Sequence, residues 1–217
     1  MQTSPDLWLF FVLVFGVIVL PGMDMAYVAG SALTAGLRGG AAAVAGIVAG
    51  GMLHVAVGAT GIAALLVLWP AGFDVLLVGG TAYMAWIGWS ILRASATAPS
   101  ASLGEVPREG PAQSAIFGRA ILTCLLNPKA YAFMLAVFPA FIHSVRHSIA
   151  EQAVRLGAIV AITQVMVYGT VAVFVASARQ WAGVSAHGQR WTARAVAAAL
   201  IGGSALTLVF GWRPLVL

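Results

Sequence analysis

Charge is what this chain has least of. Asp, Glu, Lys and Arg make up 8% of its 217 residues, where a soluble domain carries about 25%. With 61% hydrophobic residues and a mean hydropathy of +0.99, the chain cannot cover itself for water, and an integral membrane protein is expected. Acids are scarcer than bases, 6 against 11. That excess does not read as nucleic-acid binding, because the arginines lie at the ends of apolar runs, where inner-leaflet anchoring explains them. Cysteine is nearly absent: Cys124 stands alone, which excludes an internal disulfide and a multi-cysteine metal site. HExxH, P-loop and GxSxG motifs are missing, so no enzyme, metal or cofactor chemistry is expected, and any energy source is a gradient or the substrate's own concentration. The segment Met1 to Asp6 lacks Lys and Arg, so the first apolar run is not expected to be a secretory signal.

What the chain does have is length without charge. Six apolar runs reach spanning length, roughly Leu7–Gly30, Ala41–Trp69, Phe73–Leu92, Ile116–Ile142, Ala153–Ala178 and Ala193–Trp212. Crossing about 30 Å of hydrocarbon takes about 20 helical residues, and backbone groups in lipid must be satisfied within the chain. The fold class expected is therefore an all-α integral membrane protein forming a single transmembrane domain over 1–217. Residues 94–115, rich in Ala, Ser, Pro and Gly, read as a flexible linker. The side that receives the loops after spans one, three and five carries Arg38, Arg93, Arg108, Arg119, Arg179, Arg190 and Arg194; the other carries Arg146, Arg155 and Arg213. Positive-inside then makes the linker cytoplasmic and both termini external.

Two places interrupt the apolar runs. Leu20-Pro21-Gly22-Met23-Asp24-Met25 brings a helix breaker and an acid into the first; Leu126-Asn127-Pro128-Lys129 brings a breaker and a base into the fourth. Pro21 and Pro128 lack the N–H that a helix needs, and Gly22 lets the backbone bend. A charge placed in hydrocarbon costs about 2.5–3.5 kcal/mol or more, so each is a functional candidate. Asp24, in the first turn of a new half-helix, can hold a proton or a substrate ammonium. Asn127 can cap the second half-helix and bond a ligand. Lys129 needs an anion: Asp24, a substrate carboxylate, or each in turn. A structural alternative stands beside this, in which Asp24 and Lys129 form a permanent ion pair that locks the chain.

The halves repeat. Gly79-Gly80-Thr81-Ala82 followed by Gly88-Trp89 closes span three, and Gly202-Gly203-Ser204-Ala205 followed by Gly211-Trp212 closes span six. With the two breaks in matching spans, this points to two inverted three-helix repeats, 1–93 and 116–217, with the first and fourth helices broken at proline and a binding site between them near the midplane. In span two, Ala42, Gly46, Gly50, His54 and Gly58 recur every four residues, a small-residue seam that puts His54 against protein. His54 is a protonatable candidate or a simple interhelical hydrogen-bonder. Gln164 and Tyr168, one turn apart in span five, either line the same cavity or bond between helices.

These residues carry a resemblance. Pro21-Gly22-x-Asp24 with Tyr27, a second span starting after Gly39, Ala82-Tyr83 to Gly88-Trp89, and above all Leu126-Asn127-Pro128-Lys129-Ala130 resemble the lysine/threonine exporter family (LysE/RhtB translocators) of bacteria over nearly the whole length. The resemblance implies export of amino acids or closely related small zwitterions across the bacterial inner membrane, by proton antiport, with Asp24 and Lys129 in the transport site. One position departs: the family usually carries Pro-Gly-Pro before Asp or Asn, and Met23 stands at the second proline, so a softer break is expected. The site expected to bind substrate and protons comprises Asp24, Lys129, Asn127, Pro21, Gly22, Pro128, His54 and Gln164. The partners expected are the lipid bilayer, a small amino-acid-like substrate and protons, with no nucleic acid and with a homodimer left open. The alternative is a membrane scaffold or accessory subunit in which the Asp24/Lys129 pair is only structural. Divalent-metal transport is weaker still, because Asp24 stands nearly alone where clustered acids or histidines are wanted.

Overall fold

The structure is a computed structural model and describes residues 7–60, 70–97, 111–142, 148–181 and 186–211. Among these, every regular element is helical: α1 (Leu7–Val19), α2 (Met23–Ala59), α3 (Pro70–Thr97), α4 (Gln113–Leu125), α5 (Pro128–Ala136), a 3₁₀ turn (Phe138–Phe141), α6 (Ile149–Trp181) and α7 (Ala186–Gly211). The greater part of the linker, the segment Met1 to Asp6, and Arg108, Arg146 and Arg213 lie outside the described residues.

The surface is apolar and the interior partly polar, the reverse of a soluble protein. Phe174 and Trp8 are 74% and 70% exposed, whereas Asp24, Asn127 and His54 are at most 4% exposed. Large side chains such as Val154, Ile162 and Leu206 also face outward, as lipid-facing positions do. Helices long and apolar enough to cross a membrane are present, Ile149–Ala178 and Met23–Ala59.

The second of these is two helices, not one. Gly36 takes a positive φ of 66° inside it, the left-handed region that glycine alone enters freely. The chain folds back there: a Cβ on Gly40 would lie 3.1 Å from the Cβ of Ala32, eight residues earlier, a separation of about 12 Å in a straight helix. Gly36 is therefore the turn between the first apolar run and the second.

The C-terminal half of α2 sits at the centre, packed on α4 and α6, while α3 pairs with α7. Lipid offers no hydrophobic reward for bringing helices together, so close approach depends on small residues. The seam supplies it. Gly46 meets the Phe117 carbonyl and Ala120, a Cβ on Gly50 would come within 2.7 Å of the Cys124 Cβ, and Gly58 lies under Phe138. Tyr27 ties the first half of α2 to α4 by donating to the Ile116 carbonyl at 3.1 Å. In the α3–α7 pair, a Cβ on Gly88 would be 2.8 Å from Ile201 Cγ1, and Thr81 and Ser204 each bond back to a carbonyl of their own helix, Leu77 and Ile201. The two Gly-Gly pairs differ in use: Gly80 presses on the Leu126 carbonyl, while Gly203 has no neighbour within 4 Å among the described residues.

Candidate functional site

The first break begins with a missing donor. In a helix the N–H of residue 21 would bond the carbonyl of Val17, and Pro21 has none. α1 stops at Val19 and α2 starts at Met23, with Gly22 extended between them and without a side-chain cap. The freed carbonyls find a substitute from the other half of the chain. Lys129 Nζ donates to Val17 O at 3.0 Å and to Leu20 O at 3.0 Å. Gly22 makes the approach possible, because a Cβ there would stand 3.2 Å from Nζ.

The second break follows the same logic with other groups. Pro128 removes the donor that would serve Cys124 O in a continuing helix, and the Asn127 N–H takes that carbonyl at 3.1 Å instead. α4 ends at Leu125 and α5 begins at Pro128. His54 Nε2 lies 2.9 Å from Cys124 O, and since a carbonyl only accepts, Nε2 carries the hydrogen. The ring is held edge-on by Tyr131, centroids 4.6 Å apart. Asn127 caps α5: its Oδ1 accepts from the Lys129 backbone N–H at 3.0 Å. That bond fixes the amide's orientation, leaving Nδ2 for other use.

Between the two breaks lies a cavity of about 50 Å³, room for about three or four waters. Asp24, Lys129, Asn127, His54 and Gln164 all line it, with Tyr168, Cys124 and Gly51 beside them; Val14, Ile18, Phe133, Met134 and Val160 give an apolar wall. Pro21, Gly22 and Pro128 shape the chain around it without lining it. Three buried polar atoms lack a well-aligned hydrogen bond, Asp24 Oδ1, Asn127 Nδ2 and Gln164 Oε1, although Asn127 and Tyr168 lie close enough to the Asp24 carboxylate to interact with it. Each comes from a different helix or helix cap, and all three belong to cavity-lining residues. Leaving such an atom unpaired costs about 1–3 kcal/mol, and the cavity has room for water or a polar guest to meet all three.

Lys129 Nζ gives two of its three hydrogens to Val17 O and Leu20 O and does not contact Asp24 directly, while the two charges still lie close enough to attract each other. Asp74 sits in α3, half-buried, and does not line this cavity. Sequence reasoning missed Gly51, Tyr131 and the Cys124 carbonyl. A second glycine adjoining the four-residue seam was the signal for Gly51, since it turns toward a different neighbour from Gly50.

Comparison with known proteins gives consistent results. Residues 15–211 match the family described as LysE type translocator, a span that contains nearly every residue of the cavity, Val14 alone lying just before it. The homoserine/homoserine lactone efflux protein of Salmonella typhi is 31% identical over 122 residues, 56% of this chain and 57% of that protein. The leucine efflux protein of Salmonella choleraesuis is 29% identical over 137 residues, 62% of each. The chain thus spans about three fifths of the length of the curated relatives it matches. No solved structure matches it.

Proposed function

From the membership of this chain in the LysE type translocator family, shown by the match over residues 15–211, we propose that it exports amino acids or closely related small zwitterions across the bacterial inner membrane in exchange for protons. The observation that carries this reading is the set of unpaired atoms in one cavity: two acceptors, Asp24 Oδ1 and Gln164 Oε1, and one donor, Asn127 Nδ2, beside the Lys129 ammonium. A zwitterion satisfies all of them. Its ammonium goes to Asp24 and Gln164, its carboxylate to Asn127 Nδ2 and Lys129. Asp24 takes a proton when the ammonium leaves, so substrate and proton occupy it in turn. Lys129 alternates between the Val17 and Leu20 carbonyls and the substrate carboxylate, which couples occupancy to the first break.

In this reading the chain is a single transmembrane domain with six spans in two inverted repeats, 1–93 and 116–217. The first span is α1 with the N-terminal half of α2, and the fourth is α4 with α5. The linker 94–115 is cytoplasmic and both termini are external. The arginine distribution supports that orientation. Single cysteines at Ser100 and Thr3 in a Cys124→Ala background test it: an impermeant thiol reagent applied to intact cells should label position 3 and spare position 100, and the opposite pattern reverses the orientation.

The scaffold alternative draws support from one fact, that Lys129 satisfies both carbonyls. It leaves the three unpaired atoms without a purpose, at about 1–3 kcal/mol each. The deciding experiment loads expressing cells with dipeptides spanning all the amino acids and follows release. Expected is efflux of a subset, lost in Asp24→Asn at equal protein level. Equal release with and without the protein, for every amino acid, contradicts the transport reading.

A further inference from the structure

Gly51 lies beside the seam but does not take part in it. The nearest atoms an added Cβ would meet all belong to one residue: Gln164 Oε1 at 2.6 Å, Nε2 at 2.8 Å and Cδ at 3.1 Å. The side-chain amide of Gln164 occupies the notch that the absent Cβ leaves. Gln164 is 5% exposed, lines the cavity, and has its Oε1 unpartnered. Any side chain at position 51 must displace the amide by about one ångström to restore an ordinary contact of about 3.5–4.0 Å.

From this we infer that Gly51 is a specificity-determining residue that acts by positioning Gln164. The inference rests on the transport reading above. Gln164 lines the cavity, so a shift of its amide by about one ångström changes the room that the site can open for a substrate side chain. A cationic side chain finds no second acid among the described lining residues, and an anionic one would meet the apolar wall, so a neutral side chain fits best. Its natural surface is the apolar wall of Phe133, Met134 and Val160. Gly51 therefore sets the upper size of the neutral side chain, and Gln164 is the movable stop.

The test is a cycle of wild type, Gly51→Ala, Gln164→Ala and the double variant, each read for thermal stability and for efflux of alanine, threonine and leucine from dipeptide-loaded cells. Gly51→Ala should lower efflux of the largest exported amino acid about tenfold more than that of the smallest. Gln164→Ala removes an ammonium contact and should lower efflux of all three alike; in that background the Gly51 change should move the residual ratio less than about twofold, since nothing remains for the Cβ to strike. Stability should follow the same pattern: Gly51→Ala lowers it when Gln164 is intact and leaves it unchanged in the Gln164→Ala background. If Gly51→Ala does not fold while the double variant does, the collision with Gln164 is established in its strongest form. An equal loss for all three amino acids, an equal effect in both backgrounds, or failure of both variants to fold overturns the inference and returns Gly51 to simple packing. Absence of any efflux by wild type overturns the transport reading and the specificity drawn from it, while the stability cycle still reports whether Gln164 sits in the notch.

Discussion

The two breaks are built alike and held differently. Each has a proline that removes the helical donor of the carbonyl four residues earlier, and a basic side chain from the other half reaches carbonyls at the break: Lys129 bonds Val17 and Leu20, and His54 joins the Asn127 N–H on Cys124 O. The halves are thereby strapped to each other reciprocally. The first break has an uncapped Gly22 at its helix start and depends on a long cationic side chain. The second is capped by its own Asn127, begins on a proline, and is closed by a ring wedged against Tyr131. On the proposed transport reading, a charged strap can be traded for a substrate carboxylate and a ring wedged against Tyr131 cannot, which makes the first break the moving part of the site and the second its frame.

That contrast can be broken most severely at Gly22. Gly22→Val puts branched carbons where Nζ now passes, 3.2 Å from the Cβ position, while the extended backbone there accepts any residue. Lys129 loses its carbonyls, and at about 3–5 kcal/mol for an orphaned buried charge efflux should fall by more than about a hundredfold, measured per folded molecule. Retention of normal efflux would mean that the strap is idle.

Asn127→Asp separates cap from site within the second break. The carboxylate keeps the cap on the Lys129 N–H, so folded yield should hold, but Nδ2 is gone. Losing a hydrogen bond to a charged group, about 1.5–3 kcal/mol, predicts about a 10- to 100-fold fall in efflux. Unchanged efflux would remove Asn127 from the substrate's contacts. His54→Gln sharpens the comparison at its mildest end. A neutral amide can still donate to Cys124 O, so efflux should stay within about threefold, a shift of under about 1 kcal/mol, and its pH profile should not move. A displaced profile would make His54 a proton carrier and the second break part of the moving machinery.

The all-helical fold was legible in the sequence because long uncharged runs leave the backbone no alternative in lipid. The seam at Gly46, Gly50 and Gly58 was legible because four-residue spacing is a surface in a helix. Asp24 and Lys129 stood out because charges in such runs are costly. Their relation did not. Which acceptor Lys129 takes depends on where the stranded carbonyls point, and those belong to a segment more than a hundred residues away. The single-residue turn at Gly36 was invisible among neighbouring glycines and alanines, since only the backbone angle distinguishes it. Gly51 was hidden for a related reason: its meaning lies in Gln164 on another helix.

The central claim is that Asp24 and Lys129 serve the transport cycle as separate groups and do not form a lock. It is tested most directly by efflux and folded yield in wild type, Asp24→Asn, Lys129→Met and the double variant. With the ammonium of Lys129 on backbone carbonyls and Asp24 Oδ1 unpaired, removing both charges restores nothing that the site needs. The prediction is efflux in wild type alone, with the double variant inactive even where it folds. Recovery of both yield and efflux in the double variant would show a structural ion pair and contradict the account.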